Sequence, residues 1–277
     1  MPCSSSPSLV SELETVTCLL ACVDLPPTHI PVMSNMFDLR GLHSLTFLSL
    51  LLLLPSAKKA GGHDDECKER LAREGAHRPL VRILASGSPD AREAAAAALF
   101  ELTLSAPESA HSVASHGGIP PLVTLCRSGT PPAAATASSA GTLRNLAAHE
   151  HLRRPLTEHG AVEALVRLVL SGSSGTSLAQ EYAVEALQSL ASGRDARLKM
   201  SIVRKGGAAC LVKLLLENRR SSCPSSIKSR GSAIRALSNL ASTSAAVARE
   251  IVSDGYMAEL AHLLESGPPD LRLASAS

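Results

Sequence analysis

The residues that could do chemistry fall in a few short stretches, and each must be weighed against a plainer role. HDDEC gathers His63, Asp64, Asp65, Glu66 and Cys67, all metal-ligand types. Adjacent side chains seldom converge on one ion, so the ordinary reading is a helix start. There Asp64 or Asp65 accepts from unpaired backbone N–H groups and is favoured by the helix dipole. SGSSG (171–175) is rich in Gly and Ser, but no Gly-Lys-Ser/Thr follows it, so it is not a phosphate loop. KGGA (205–208) has the residues of an anion nest. His149 and His151 flank a helix end, where a solvated imidazole is the common case. No Ser-His-Asp or Cys-His arrangement is identifiable. What remains is Asn145 in LRNLA and Asn239 in LSNLA, two amides at the same place in two similar stretches. An amide offers both a hydrogen-bond donor and an acceptor, so a binding role is open to it. The plainer alternative is a bond to the backbone of its own turn.

The elements that position these amides recur along the chain. The stretch from His116 to His149 reads as a turn, a helix, a Pro/Gly break and a longer helix ending in LRNLA. Five glycines mark the same point of successive units: Gly75, Gly117, Gly160, Gly206 and Gly255, spaced 42, 43, 46 and 49 residues apart. Four residues before each stands an aliphatic: Leu71, Val113, Leu156, Ile202, Ile251. Five after stands leucine: Leu80, Leu122, Leu165, Leu211, Leu260. Eight after stands Ile83, Leu125, Leu168, Leu214 or Leu263. Each glycine stops a short first helix, and KGGA thereby becomes a helix stop rather than a nest. The +5 and +8 residues form an apolar stripe on a second helix. Ser, Gly and Pro (SGSP, SGTPP, SGSSG, SGPP) then end that helix and open a third. The third-helix cores are AAALFEL (96–102), AGTLRNL (140–146), VEALQSL (184–190) and IRALSNL (234–240). Their inward leucines are Leu99 and Leu102, Leu143 and Leu146, Leu187 and Leu190, and Leu237 and Leu240. The segment 217–231 reads as a longer, polar and basic loop. SGPPDLRLAS (266–275) lines up with SGSPDAREAA (86–95), so the sequence stops as a fifth third helix begins. The array is either short-capped there or continues in a longer chain.

Composition agrees with tightly packed helices. Aromatic residues make up 2% of the chain, with no Trp, two Tyr and three Phe, so Leu, Ala, Val and Ile must fill the core. A β-sandwich or barrel favours aromatic and β-branched residues instead. The net charge of +2 and the lack of stacking residues argue against a nucleic-acid partner. The seven cysteines include no CxxC pair, and Cys126 and Cys210 fall in apolar helical patterns. A reducing compartment, cytoplasmic or nuclear, is the expected setting. Residues 1–62 lack the repeat. Within them, 11–23 has the spacing of one amphipathic helix, and 42–54 is an apolar run too short for a membrane span. That run reads as a buried helix packing on the first repeat. A secretory signal over 36–57 is the lesser reading, because it needs a start near Met33 or Met36.

In this register residues 64–277 resemble the armadillo-repeat family. The motifs EGAHRPLVRIL, HGGIPPLVTL, HGAVEALVRLV and KGGAACLVKLL carry the likeness, with LRNLA and LSNLA. It is most like plant armadillo proteins, namely the repeat arrays of U-box ubiquitin ligases and the vacuolar-protein-8-like group. The resemblance implies an all-α fold, an armadillo-type right-handed α-solenoid of three-helix repeats over 63–277, about four repeats and a partial fifth. It also implies that the third helices line a concave groove, where an Asn near the helix end bonds an extended peptide. Asn145 and Asn239 match; Glu101 and Ser189 stand at the other two places. Import adaptors of the family carry Trp four residues earlier, where this chain has Ala97, Gly141, Glu185 and Arg235. That departure weakens the import-receptor reading. With Arg144 beside Asn145, the groove set is Glu101, Arg144, Asn145, Glu185, Ser189, Arg235 and Asn239.

The function this implies is a non-enzymatic scaffold for a protein or peptide partner, with no cofactor, metal, nucleic acid or small-molecule substrate. Two alternatives stand beside it: the substrate-recognition part of a U-box ligase without its U-box here, and a membrane-tethered adaptor. Cys3 offers a thiol for acylation, but MPC lacks the Met-Gly start of myristoylation, and one lipid anchors only marginally.

Overall fold

The repeat boundaries fall where the glycines place them. The computed structural model describes residues 68–242 except 70, 71, 74, 128–132, 172–177 and 218–223, together with Ala245 and Arg249. Within it Gly75, Gly117, Gly160 and Gly206 have φ of 83°, 78°, 79° and 81°. Gly255 and the fifth unit lie outside the described residues, as do HDDEC, the apolar run 42–54 and the rest of 1–62.

The stop after the first helix can be followed at Gly117. The N–H of Gly117 donates to Ala114 O at 3.0 Å and that of Gly118 to Val113 O at 2.9 Å, satisfying carbonyls that the ending helix leaves open. This closure requires a left-handed residue, which Gly adopts without strain. Gly118 is small for a different reason: a Cβ there would lie 2.6 Å from Val113 Cγ1.

Eleven helices are described. The first unit contributes α1 (His77–Ser86) and α2 (Pro89–Ser105). The next contributes α3 (Glu108–Ser115), α4 (Ile119–Arg127) and α5 (Ala133–Ala148). Then follow α6 (Glu150–Glu158), α7 (Ala161–Ser171) and α8 (Leu178–Ala191), and finally α9 (Ala196–Arg204), α10 (Gly207–Glu217) and α11 (Pro224–Ala241). Local chemistry explains several starts. Pro89 occupies the first turn of α2 while Ser88 Oγ accepts from Ala91 N. Asp195 caps α9 by accepting from the N–H groups of Arg197 and Leu198.

The third helices α2, α5, α8 and α11 pack side by side, and each also packs on the second helix of its own unit. The core between these rows is aliphatic. Leu80, Leu122, Leu165 and Leu211 are buried on the second helices, and all eight expected third-helix leucines are buried as well. Small residues stand where third helix meets third helix. Ala95, Ala96 and Ala98, Ser139, Ala140 and Gly141, Ala183 and Ala186, and Ala233 and Ala236 are all buried. This close approach is why the chain needs so few aromatics. Among the described residues every element is helical, and no helix is long and apolar enough to cross a membrane.

One boundary differs from the sequence reading. The segment 217–231 is not loop throughout, because α11 begins at Pro224 and runs for 18 residues. Proline suits a first helical position, where its missing N–H costs nothing. Packing of α11 on α8 and α10, with Ile234, Leu237 and Leu240 buried, then offsets the weak helix propensity of this Ser-rich start.

Candidate functional site

The residues expected to line a groove stand on the third-helix row, and the structure sorts them by how far each is withdrawn. The half-buried and exposed positions run at helical spacing along each helix: Ala97, Phe100 and Leu104 on α2; Arg144, Asn145 and Ala148 on α5. They continue with Glu185 and Ser189 on α8, and Lys228, Arg235 and Asn239 on α11. This stripe faces away from the leucines, which point at the second helices.

Asn145 is half-buried and already bonded within the chain. Its Oδ1 accepts from Arg144 Nε at 3.1 Å and Arg144 Nη2 at 2.8 Å, and its Nδ2 donates to Thr103 Oγ1 at 3.0 Å. An amide NH2 carries two hydrogens, so one remains to donate outward. Thr103 is in turn tied to α2, donating to Leu99 O. The amide is therefore held by a helix of the preceding repeat, and not by its own turn as the plainer reading had it.

Arg144 is the centre of the network. Beyond Asn145 its Nη1 donates to Glu185 Oε2 at 3.0 Å, and its guanidinium lies 4.9 Å from the Tyr182 ring centroid. Glu185 takes a second cation, with Lys228 Nζ 2.7 Å from Oε1. Burial alone would raise the Glu185 carboxyl. The hydrogen bonds from Lys228 and Arg144, with their charges, outweigh it and hold the group below its usual range. Four successive third helices are thus joined by one polar chain: Thr103, Asn145, Arg144, Glu185, Lys228.

The place where an import adaptor would carry Trp is filled differently. Phe100 and Tyr182 approach to 5.4 Å between ring centroids, from the repeats on either side of Gly141. A Cβ on Gly141 would lie 2.5 Å from Phe100 Cε2. Gly141 is small because the neighbouring rings converge over it. These two rings are the only Phe or Tyr side chains among the described residues.

Glu101 does not join this set. It is buried, and its carboxylate pairs with Lys68 Nζ at 3.2 Å, with side-chain exposures of 9% and 10%. A carboxylate this withdrawn ties Lys68 to α2. Ser189 and Asn239 are half-buried on the stripe, and Lys199 Nζ donates to the Asn239 backbone oxygen. Arg235 is exposed, with one guanidinium nitrogen 3.2 Å from Ser232 Oγ. The sequence reading missed Thr103, Phe100, Tyr182 and Lys228. Phe100 directly precedes Glu101 and Tyr182 lies one turn before Glu185, so helical periodicity could have found both. Lys228 was hidden by reading its segment as loop.

The remaining described sequence candidates make contacts within the chain. Lys205, the helix-stop lysine, donates to Thr157 O at 3.1 Å and pairs with Glu163 at 3.0 Å. His149 and His151 lie near His111, with ring centroids 5.9 Å (His149–His151) and 5.6 Å (His111–His151) apart. No group of three potential ligands among the described residues is arranged to hold a metal. Cys126 and Cys210 are free and buried, and burial pushes each thiol up to about 12.

No protein-family model matches the chain, and no curated protein matches it. Solved structures do. A computationally designed armadillo repeat protein for modular peptide recognition is 20% identical with a TM-score of 0.71, covering 95% of this chain and 96% of its own. A designed armadillo repeat protein in complex with the peptide (KR)4 is 21% identical with a TM-score of 0.71, covering 97% of each chain. An engineered protein from a structural genomics programme is 26% identical with a TM-score of 0.69, over 86% of this chain and 90% of that one. The fold is that of an armadillo-type α-solenoid.

Proposed function

We propose, from the armadillo-type fold, that the chain is a non-enzymatic interaction scaffold whose third-helix row binds an extended segment of a partner protein, with the repeat array spanning 63–277. The observation that carries this reading is positional. Asn145, Ser189 and Asn239 occupy the same place on three consecutive third helices that pack side by side, and all three are half-buried at the solvent-facing stripe. Such a ladder offers a polar group at each repeat to a peptide main chain, which presents donors and acceptors at regular intervals.

The internal bonds give the Asn145 rung a role. Arg144 and Thr103 fix the Asn145 amide in one orientation, leaving an N–H for a peptide carbonyl. A side chain oriented in advance loses little rotamer freedom on binding. The Phe100–Tyr182 contact supplies apolar surface beside that rung for a ligand side chain.

The test uses octapeptides selected on the full chain from a random displayed library, then measured by fluorescence anisotropy. Asn239→Ala and Ser189→Ala should each weaken binding by about threefold to tenfold, the usual span for one interfacial hydrogen bond. Exposed changes on the first helices, such as Arg197→Ala, should leave it unchanged. Selected peptides that bind every third-helix variant with wild-type affinity would overturn the reading.

A further inference from the structure

We infer that the part of the groove formed by α5, α8 and α11 is a subsite for acidic side chains of an extended peptide; this inference rests on the groove reading above. Residue types alone do not give a ligand charge, because the ladder alternates Ala97 and Glu101, Gly141 and Asn145, Glu185 and Ser189, Arg235 and Asn239. The structure breaks the tie by burying one sign. Both ladder carboxylates are covered: Glu101 by Lys68, and Glu185, 16% exposed, by Arg144 and Lys228 together. Lys68 and Arg144 are themselves largely covered, but two cations of α11 stay in reach of solvent, with the Lys228 side chain 59% exposed and Arg235 exposed as well.

The geometry makes a row. Arg144 and Lys228 flank Glu185 from the repeats on either side, each within 3.0 Å of it. Arg235 lies seven residues beyond Lys228, about two turns on and on the same face of α11. Two cations share one carboxylate, so the local balance is positive even where it is paired. The partly exposed Glu181, one turn before Glu185, is the one acid that opposes them on this stretch of α8. A ligand carboxylate approaching Lys228 and Arg235 meets charged donors that need little rearrangement. A ligand cation would meet the same row as like charge.

The inference can fail without the groove reading. Labelled (DE)4 and (KR)4 octapeptides are titrated into the full chain, and anisotropy is followed at several salt concentrations. (DE)4 should bind more tightly than (KR)4 by at least about tenfold and weaken as salt rises. Lys228→Glu and Arg235→Glu should each lower (DE)4 affinity by about fivefold or more. Arg197→Glu, on the exposed surface of α9, should change it little, which separates a subsite from a general charge effect. Because Lys228→Glu also disturbs Glu185, the exposed Arg235→Glu variant carries the decision, with circular dichroism checking that it folds. Preference for (KR)4, or (DE)4 binding indifferent to Arg235→Glu, overturns the acidic subsite. If (KR)4 then binds and loses affinity in Asn239→Ala, the groove reading stands alone.

Discussion

Replacing Gly141 by alanine separates two opposed effects that the structure lets one estimate. In a helix interior alanine is favoured over glycine by about 1 kcal/mol. At Gly141 the added Cβ would lie 2.5 and 2.6 Å from the Phe100 ring and 3.1 Å from Tyr182 Cδ2, so the aromatic contact must move. Overpacking of this kind costs about 1–3 kcal/mol, and loss of an aromatic pair costs about 0.5–1.5 kcal/mol more. Gly141→Ala should therefore destabilise by about 0.5–3.5 kcal/mol net. Gly231 on α11 is the control. A Cβ there meets only the Arg235 guanidinium, at 3.5 and 4.0 Å, which is ordinary contact. Gly231→Ala should stabilise by roughly the full helix-propensity difference, about 0.5–1 kcal/mol. Urea denaturation followed by far-ultraviolet circular dichroism suits a chain without Trp. The two midpoints should move in opposite directions. If both substitutions stabilised equally, the Phe100–Tyr182 contact would not lie over Gly141 in solution, and the explanation for the small residue there would be wrong.

Further outcomes follow from the same contacts. Arg144→Ala removes bonds to Asn145 and Glu185 and the stack on Tyr182, and should cost about 1–3 kcal/mol; Arg144→Lys keeps the charge but not the fork, and should fall between. Acid should destabilise the fold, because Glu185 has a lower pKa folded than its ordinary 4.5, so the unfolded chain takes up the proton first. That contribution is present above about pH 4.5 and lost as pH falls below it, and Glu185→Gln should flatten this part of a melting-temperature profile. His77 acts with the same sign at higher pH, since burial and then His116 hold its imidazole below 6.5; His77→Leu should remove a loss of stability that begins as pH falls through 6.5. Cys126 and Cys210 should resist alkylation at pH 8 in the folded chain and react after denaturation, as read by peptide mass mapping.

The repeat was legible because its signals are local. A glycine at φ near +80° and leucines at helical spacing are each set by the backbone or by one packing face, so Gly117 and Leu122 announce themselves in any register. The same logic fails at Pro224, where packing of α11 on α8 and α10 overrides the weak helix preference of its serines. It fails more deeply at the candidate site. Whether Glu101 is a ligand-facing acid or a buried partner of Lys68 depends on residues 33 positions apart, which no local pattern encodes. Asn145 was found by its place in LRNLA, but its bond to Thr103 spans 42 residues and is set by helix-to-helix packing. The sign of the exposed charge likewise follows from which of several paired groups is uppermost.

The central claim is that the third-helix row receives the partner, and photo-cross-linking tests it most directly. A selected octapeptide carrying one photoreactive residue is irradiated with the full chain, and the adducts are located by mass spectrometry. The groove reading predicts adducts on α5, α8 and α11, near Asn145, Ser189 and Asn239, that disappear when unlabelled peptide competes. Competable adducts concentrated instead on the first helices α3, α6 and α9 would contradict it.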